Sequence, residues 1–123
     1  MGKNVIIKSS SEIRNIFRTG KRFGGENISL FYVFAGERGA TGVAFTVSNR
    51  VKRAVDRNRL KRLMREVFRL NRQKVCSATA SRDTGIRLVM NCSYDRPAKM
   101  LALKDIEKDF NRFLRSITDQ AAA

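Results

Sequence analysis

Residues 50–74, RVKRAVDRNRLKRLMREVFRLNRQK, carry eleven of the chain's 26 lysines and arginines against two acids. At the centre, Arg57-Asn58-Arg59-Leu60-Lys61-Arg62 sets five donor-rich side chains around one leucine. Cations at this density repel one another in a free protein, and a polyanion is the partner that relieves them. The chemistry on offer is phosphate binding. A guanidinium fork takes two phosphate oxygens at once, which an ammonium cannot do. The remainder of the chain holds 15 basic and 9 acidic residues, so the excess is concentrated on one element.

Side chains for bond-breaking chemistry are scarce by comparison. The absence of histidine removes the commonest general base near neutral pH. Cys76 and Cys92 lack the spacing and the companions of a tetrahedral zinc site. They read as free thiols, buried or half-buried, with a disulfide disfavoured in a reducing compartment. The acids are dispersed, and Asp105, Glu107 and Asp109 come nearest to a cluster. Residues two apart do not share a helix face, so these read as a solvated side balancing nearby lysines rather than a metal site. No catalytic residue and no protein-held metal is assigned.

A length of 123 residues fits one domain, 1–123, with a real core. Hydrophobic content of 42% with eight phenylalanines is that of a globular chain. A net charge of +15 selects an anionic partner. No window approaches the roughly 20 apolar residues of a membrane span. The opening residues are too short an apolar run for a secretion signal. A cytoplasmic protein with no membrane partner is expected.

The elements that must hold the cations follow from periodicity. Ser9 and Glu12 have capping-box spacing, Ile13, Ile16 and Phe17 recur at helical spacing, and Gly20 fits a helix stop, which predicts a helix over 9–18. From Ile28 the pattern alternates. Ile28, Leu30, Tyr32 and Phe34 lie on one face and Phe31 and Val33 on the other, a strand covered on both sides. A turn at 36–39 leads to a second strand over 41–47, and the two are expected to form an antiparallel hairpin. Leu60, Leu63, Met64, Val67 and Phe68 then form one helical stripe. Asn58, Lys61, Arg62, Arg65, Arg69 and Arg72 fall mainly opposite it. Residues 76–84 read as a polar loop, 85–90 as a third strand, and 93–97 as a turn carrying Arg96. A last helix runs over 99–117 and the tail beyond it is expected to fray. The order α-β-β-α-β-α describes an α+β sandwich, a mostly antiparallel sheet covered by helices. If the strands at 41–47 and 85–90 are parallel, the general rule favours a right-handed crossover between them.

The run Ala54-Val55-Asp56-Arg57-Asn58-Arg59-Leu60-Lys61-Arg62-Leu63-Met64-Arg65-Glu66 resembles the signature of the bacterial ribonuclease P protein component. Ile16-Phe17-Arg18-Thr19-Gly20 looks like the end of that family's first helix. Gly42-Val43-Ala44-Phe45-Thr46-Val47-Ser48 looks like the strand leading into the signature. The similarity spans about 9–117. It implies the accessory subunit of an RNA-based endonuclease: the catalytic RNA, with Mg2+ at its own active site, removes the 5′ leader of precursor tRNA. The protein would hold no cofactor itself. The family also implies a left-handed crossover around the basic helix, against the general rule, and that expectation is adopted here.

Carried over position by position, the resemblance implies RNA contacts at Arg57, Asn58, Arg59, Lys61, Arg62 and Arg65; Arg50, Lys52, Arg53 and Arg69, on the same basic run, are expected to bind RNA with them. It implies a cleft for the single-stranded leader at Ile13, Phe17 and Phe31, with Arg96 near it. An aromatic there can stack on a base without reading its identity. Ile13 departs from the family's frequent aromatic, and Asn49-Arg50 and Lys52 replace a commoner pair of lysines and a glycine. The alternative is a structural RNA-binding protein of ribosomal type, whose usual basic extensions are not seen here.

Overall fold

Strand residues 86–92 bury Ile86, Leu88, Met90 and Cys92 on one face and Val89, between Arg87 and Asn91, on the other, and they take the centre of a five-stranded sheet. The computed structural model describes residues 4–80, 82–92 and 101–122. In chain order the elements are β1 (Asn4–Ile6), α1 (Ser10–Thr19), β2 (Lys21–Gly24), β3 (Ser29–Phe34), β4 (Thr41–Val47), α2 (Ala54–Leu70), α3 (Arg72–Thr79), β5 (Ile86–Cys92) and α4 (Leu103–Ala122). The strand order is β1-β4-β5-β3-β2. The α+β class stands, with helices on the sheet.

The expected hairpin is not formed. Strands β3 and β4 do not pair with each other; each pairs with β5, antiparallel for β3 and parallel for β4. Alternation fixes which face a side chain takes but says nothing about the neighbouring strand. Burial decides it here. Ile86, Leu88 and Met90 fill one side of β5 and Val89 the other, all at 0% exposure, so β5 gains most from a central place. The 35–40 connection wraps over the start of β5, with Ile86 N donating to Ala40 O at 3.0 Å. A Cβ on Gly85 would lie 2.2 Å from that same carbonyl oxygen, so the crossing needs glycine. Strand β1 is parallel to β4 and β2 antiparallel to β3, giving two pairings of each kind instead of an antiparallel majority.

The sheet separates two apolar clusters. On one side α1 covers Ile7, Ala44 and Val89 with Ile16, and Ile13, Phe31 and Val33 pack at its edge. On the other, α2, α3 and α4 close over Leu30, Tyr32, Val43, Leu88 and Met90 with Leu60, Met64, Val67, Phe110 and Phe113. Each such side chain contributes about 1.5–3 kcal/mol on burial. The two-sided burial expected for β3 is therefore present, as are the free thiols, half-buried at Cys76 and buried at Cys92.

Helix ends show how sequence becomes local structure. Ser9 Oγ accepts the Glu12 amide at 3.2 Å, the cap expected for α1. The Glu12 carboxylate does not complete the box; it pairs with Arg87 of β5 at 2.6 Å and pins α1 across the sheet. Gly20 ends α1 with φ −77°, not in a left-handed turn. Its glycine identity is required because a Cβ would meet Ile16 O at 2.5 Å and Tyr32 O at 2.9 Å.

Two other expectations are corrected. Of the residues read as a polar loop, 76–79 are helical and form the end of α3, because Val75, Ala78 and Thr79 bury against the core and Thr79 Oγ1 donates to Val75 O at 3.0 Å. Helix α4 starts at Leu103, where Asp105 accepts the Ala102 amide at 2.9 Å, and continues to Ala122 instead of fraying. The expected turn at 93–97, and with it Arg96, lies outside the described residues. Among the described residues no helix is long and apolar enough to cross a membrane.

Candidate nucleic-acid interface

Asn58, Arg62, Arg65 and Arg69 follow one another along α2 at spacings of four, three and four residues. That keeps them on one side for about 16 Å of helix. All four are exposed, while Leu60, Met64, Val67 and Phe68 on the opposite side are buried. The amphipathic split read from the sequence is present. Arg62 makes no hydrogen bond or ion pair among the described residues. Arg65 lies over the Phe45 ring, 5.7 Å from its centroid. Arg69 is held by Glu66 through two hydrogen bonds, one of 3.1 Å from Nε. The hydrogen bond from Arg69 holds the Glu66 carboxyl below its ordinary value, and Glu66 in turn raises Arg69.

The other two arginines of the Arg-Asn-Arg core are differently placed. Arg57 Nη1 donates to Val51 O at 2.8 Å and Lys52 O at 2.7 Å. It thereby closes the 48–53 loop onto the first turn of α2, where Arg53, the N-cap, offers no side-chain bond. Arg59 Nη2 donates to Leu101 O at 2.8 Å and ties α2 to the approach of α4. Both are half-buried staples of the scaffold that carries the stripe. Lys61 is half-buried as well, whereas Arg50, Lys52 and Arg53 are exposed in the loop ahead of the helix.

Beyond α1 the sheet face opens into a groove of about 590 Å3, lined by Phe17, Thr46, Val47, Ser48, Asn49, Arg50 and Asn91. Phe17 is 36% exposed and meets the half-buried Phe31 ring edge-on, with centroids 4.6 Å apart. Arg22 of β2 also stands over the Phe31 ring, 6.0 Å from its centroid. Ile13 packs at the margin of the α1 cluster rather than in the groove. Thr46 Oγ1 donates to Asn91 Oδ1 at 2.8 Å, and both residues line the groove. The groove thus offers an aromatic wall, a hydrogen-bonding floor and an arginine.

The structure brings Arg50, grouped by sequence with the helix, into the same groove as Phe17. The 48–53 loop joins groove and stripe into one surface. Sequence reasoning missed Thr46, Ser48 and Asn91. No sequence signal marks them, because Thr46 and Asn91 come together only through the pairing of β4 with β5.

The acids on α4 are not a solvated balancing side. Asp109 is 1% exposed and its carboxylate accepts the amides of Glu26, Asn27 and Ile28 at 3.1, 2.8 and 3.1 Å. Glu107 accepts from Asn71 Nδ2 at 3.1 Å, across the joint between α2 and α3. Asp105 caps its own helix. Each carboxylate is committed to the fold.

The ribonuclease P family model matches residues 1–118. A ribonuclease P protein component from Fusobacterium nucleatum is 33% identical over 110 residues, covering 89% of this chain and 94% of that one. Another, from Chlorobium phaeobacteroides, is 36% identical over 101 residues, covering 75% and 69%. The solved ribonuclease P protein of Thermotoga maritima superposes with a TM-score of 0.72 over 89% of this chain and 94% of that one. At 19% identity it speaks for the fold alone.

Proposed function

The chain belongs to the ribonuclease P protein family, and from that premise we propose that it docks the catalytic RNA and grips the precursor tRNA leader on one continuous surface. The exposed stripe Asn58-Arg62-Arg65-Arg69, with Lys52 and Arg53 ahead of it, takes phosphates of the catalytic RNA. Docking releases condensed counterions, so affinity falls steeply with salt. The groove takes the single-stranded 5′ leader, with Phe17 stacking on a base and Arg50 on a backbone phosphate. Arg57 and Arg59 act through the positions they fix.

This reading gives the chain no catalytic side chain. The RNA performs the endonucleolytic hydrolysis, and the Mg2+ expected for it belongs to the RNA; Asp105, Glu107 and Asp109, the acids nearest to a cluster, are engaged in the fold. The protein raises the affinity for a substrate that carries a leader over a product that does not. Residues 1–123 act as one RNA-binding domain, in the cytoplasm, where precursor tRNA is met.

The observation that carries this reading is the 48–53 loop. It places Arg50 in the groove and sets Lys52 and Arg53 at the head of the α2 stripe. The test is cleavage of a precursor tRNA by a bacterial ribonuclease P RNA at low Mg2+, with and without the chain. Strong stimulation, absent for the protein alone, is expected. Tight RNA binding without stimulation would support a structural RNA-binding role instead.

A further inference from the structure

Between β1 and the C-terminal half of α2 lies a second recess, of about 210 Å3. Its interior is apolar: Val5 and Ile6 of β1, Val43 and Phe45 of β4, and Phe68 of α2. Arg65, Arg69 and Arg72 rim it, and among the described residues no acid lines it. Val5 and Ile6 are 49% and 47% exposed, an unusual position for two adjacent large aliphatics on an edge strand.

The geometry points to a docking pocket for one unpaired nucleotide of an RNA strand. The base enters between Ile6 and the Arg65–Phe45 pair, and its flanking phosphates rest on Arg69 and Arg72. Size and charge together select this occupant. The recess has room for one flat ring system, not for the extended apolar face of a protein partner. The three guanidiniums ask for anionic groups on both sides of that ring. A nucleobase can stack on an aromatic ring or on a guanidinium plane, and Arg65 over Phe45 offers such a plane at the mouth. A-form duplex keeps its bases stacked inside and presents phosphates and 2′-hydroxyls. An apolar recess beside the cations is of use only to a loop or bulge whose base is turned out.

This inference rests on the docking role proposed for α2, because Arg65 and Arg69 belong both to the stripe and to the rim. It adds a residue-level preference for unpaired over paired RNA at that end of the helix. The pocket also gives β1 a purpose beyond completing the sheet.

The test uses the full chain and a bacterial ribonuclease P RNA. A V5S/I6S double variant changes only exposed side chains, and its thermal unfolding should match the parent. Its affinity for the RNA should fall about tenfold, the scale of one lost stacked base, with the salt slope unchanged. Arg72→Ala should instead make the slope shallower by about one unit. An aryl azide placed through Ile6→Cys, in a Cys76→Ser background, should crosslink to one unpaired nucleotide. Unchanged V5S/I6S affinity, or crosslinks spread along a helix or absent, would overturn the pocket while leaving the docking role intact. A parent chain that fails to bind the RNA would remove both.

Discussion

Replacing Arg62 and Arg57 by alanine, one at a time, separates a side chain proposed to meet RNA from one that builds the surface. Arg62 is exposed with no hydrogen-bond or ion-pair partner among the described residues, so under the proposed docking its loss removes one phosphate contact and leaves the fold untouched. The log–log salt dependence of binding should become shallower by about 0.7–0.9. Over a fourfold rise in salt, the parent's affinity should then fall about threefold further than the variant's. Thermal unfolding should not move. Arg57 makes two charge-assisted bonds to the Val51 and Lys52 carbonyls. Breaking them at a half-exposed site costs about 1–2 kcal/mol. For a chain of this size that is roughly 4–8 °C in Tm. Its salt slope should stay near the parent's. The assay is filter binding to ribonuclease P RNA across a salt series, beside calorimetry of the free protein. An Arg57→Ala variant with unchanged Tm and a slope shallower by one would refute the division made here.

Phe17→Ala should weaken precursor tRNA about tenfold more than mature tRNA in the assembled ribonucleoprotein, since only the precursor has a base to stack; equal losses would return Phe17 to the core. Asp109→Asn keeps the size of the side chain but loses the charge that binds three amides, and should cost about 2–3 kcal/mol in denaturant unfolding. A change under half that would mean the 25–28 turn holds itself. The Glu66–Arg69 pair gives a pH dependence. Because Glu66 is lowered in the folded protein, the pair's contribution is present above the ordinary carboxylate value and lost as pH falls through the lower, folded one. The same protonation frees Arg69, so RNA affinity should rise with acidification in the parent relative to a Glu66→Gln variant, which should already bind more tightly at neutral pH. Parallel pH profiles for the two would exclude competition for Arg69.

Much of the scaffold was legible because burial writes itself into periodicity. The stripe of Leu60, Met64, Val67 and Phe68 located α2, and the alternation of Ile28 to Phe34 gave β3 its two faces. Pairing was not legible. Nothing in the alternation of β3 or β4 states that β5 stands between them, since that depends on which strand has the most apolar surface to hide. Strands β1 and β2 are too short to show a period, and α3 has only Val75, Ala78 and Thr79 to bury, too few for a helical stripe to show before they pack on the core. At the interface, the exposed cations were readable from charge alone. Composition could not separate Arg57 and Arg59 from Arg62, because a staple and a phosphate clamp use the same guanidinium. The groove floor at Thr46 and Asn91 depends on β4 and β5 being neighbours, so it could not be seen before the pairing was known.

The central position of β5 also constrains how the chain reaches this state. Leu30 pairs with Met90, and Thr41 with Ile86, so both partnerships close long loops. Local pairing of β3 with β4 is unavailable as a first step, and the entropy of those loops must be met before the sheet rewards it. During synthesis on a ribosome, β3 and β4 emerge well before the strand that separates them. Until Cys92 has left the tunnel, two apolar strand edges stand open to each other and to other chains. The wrong hairpin, the one that the sequence pattern itself suggests, is then the nearest competitor of the native sheet.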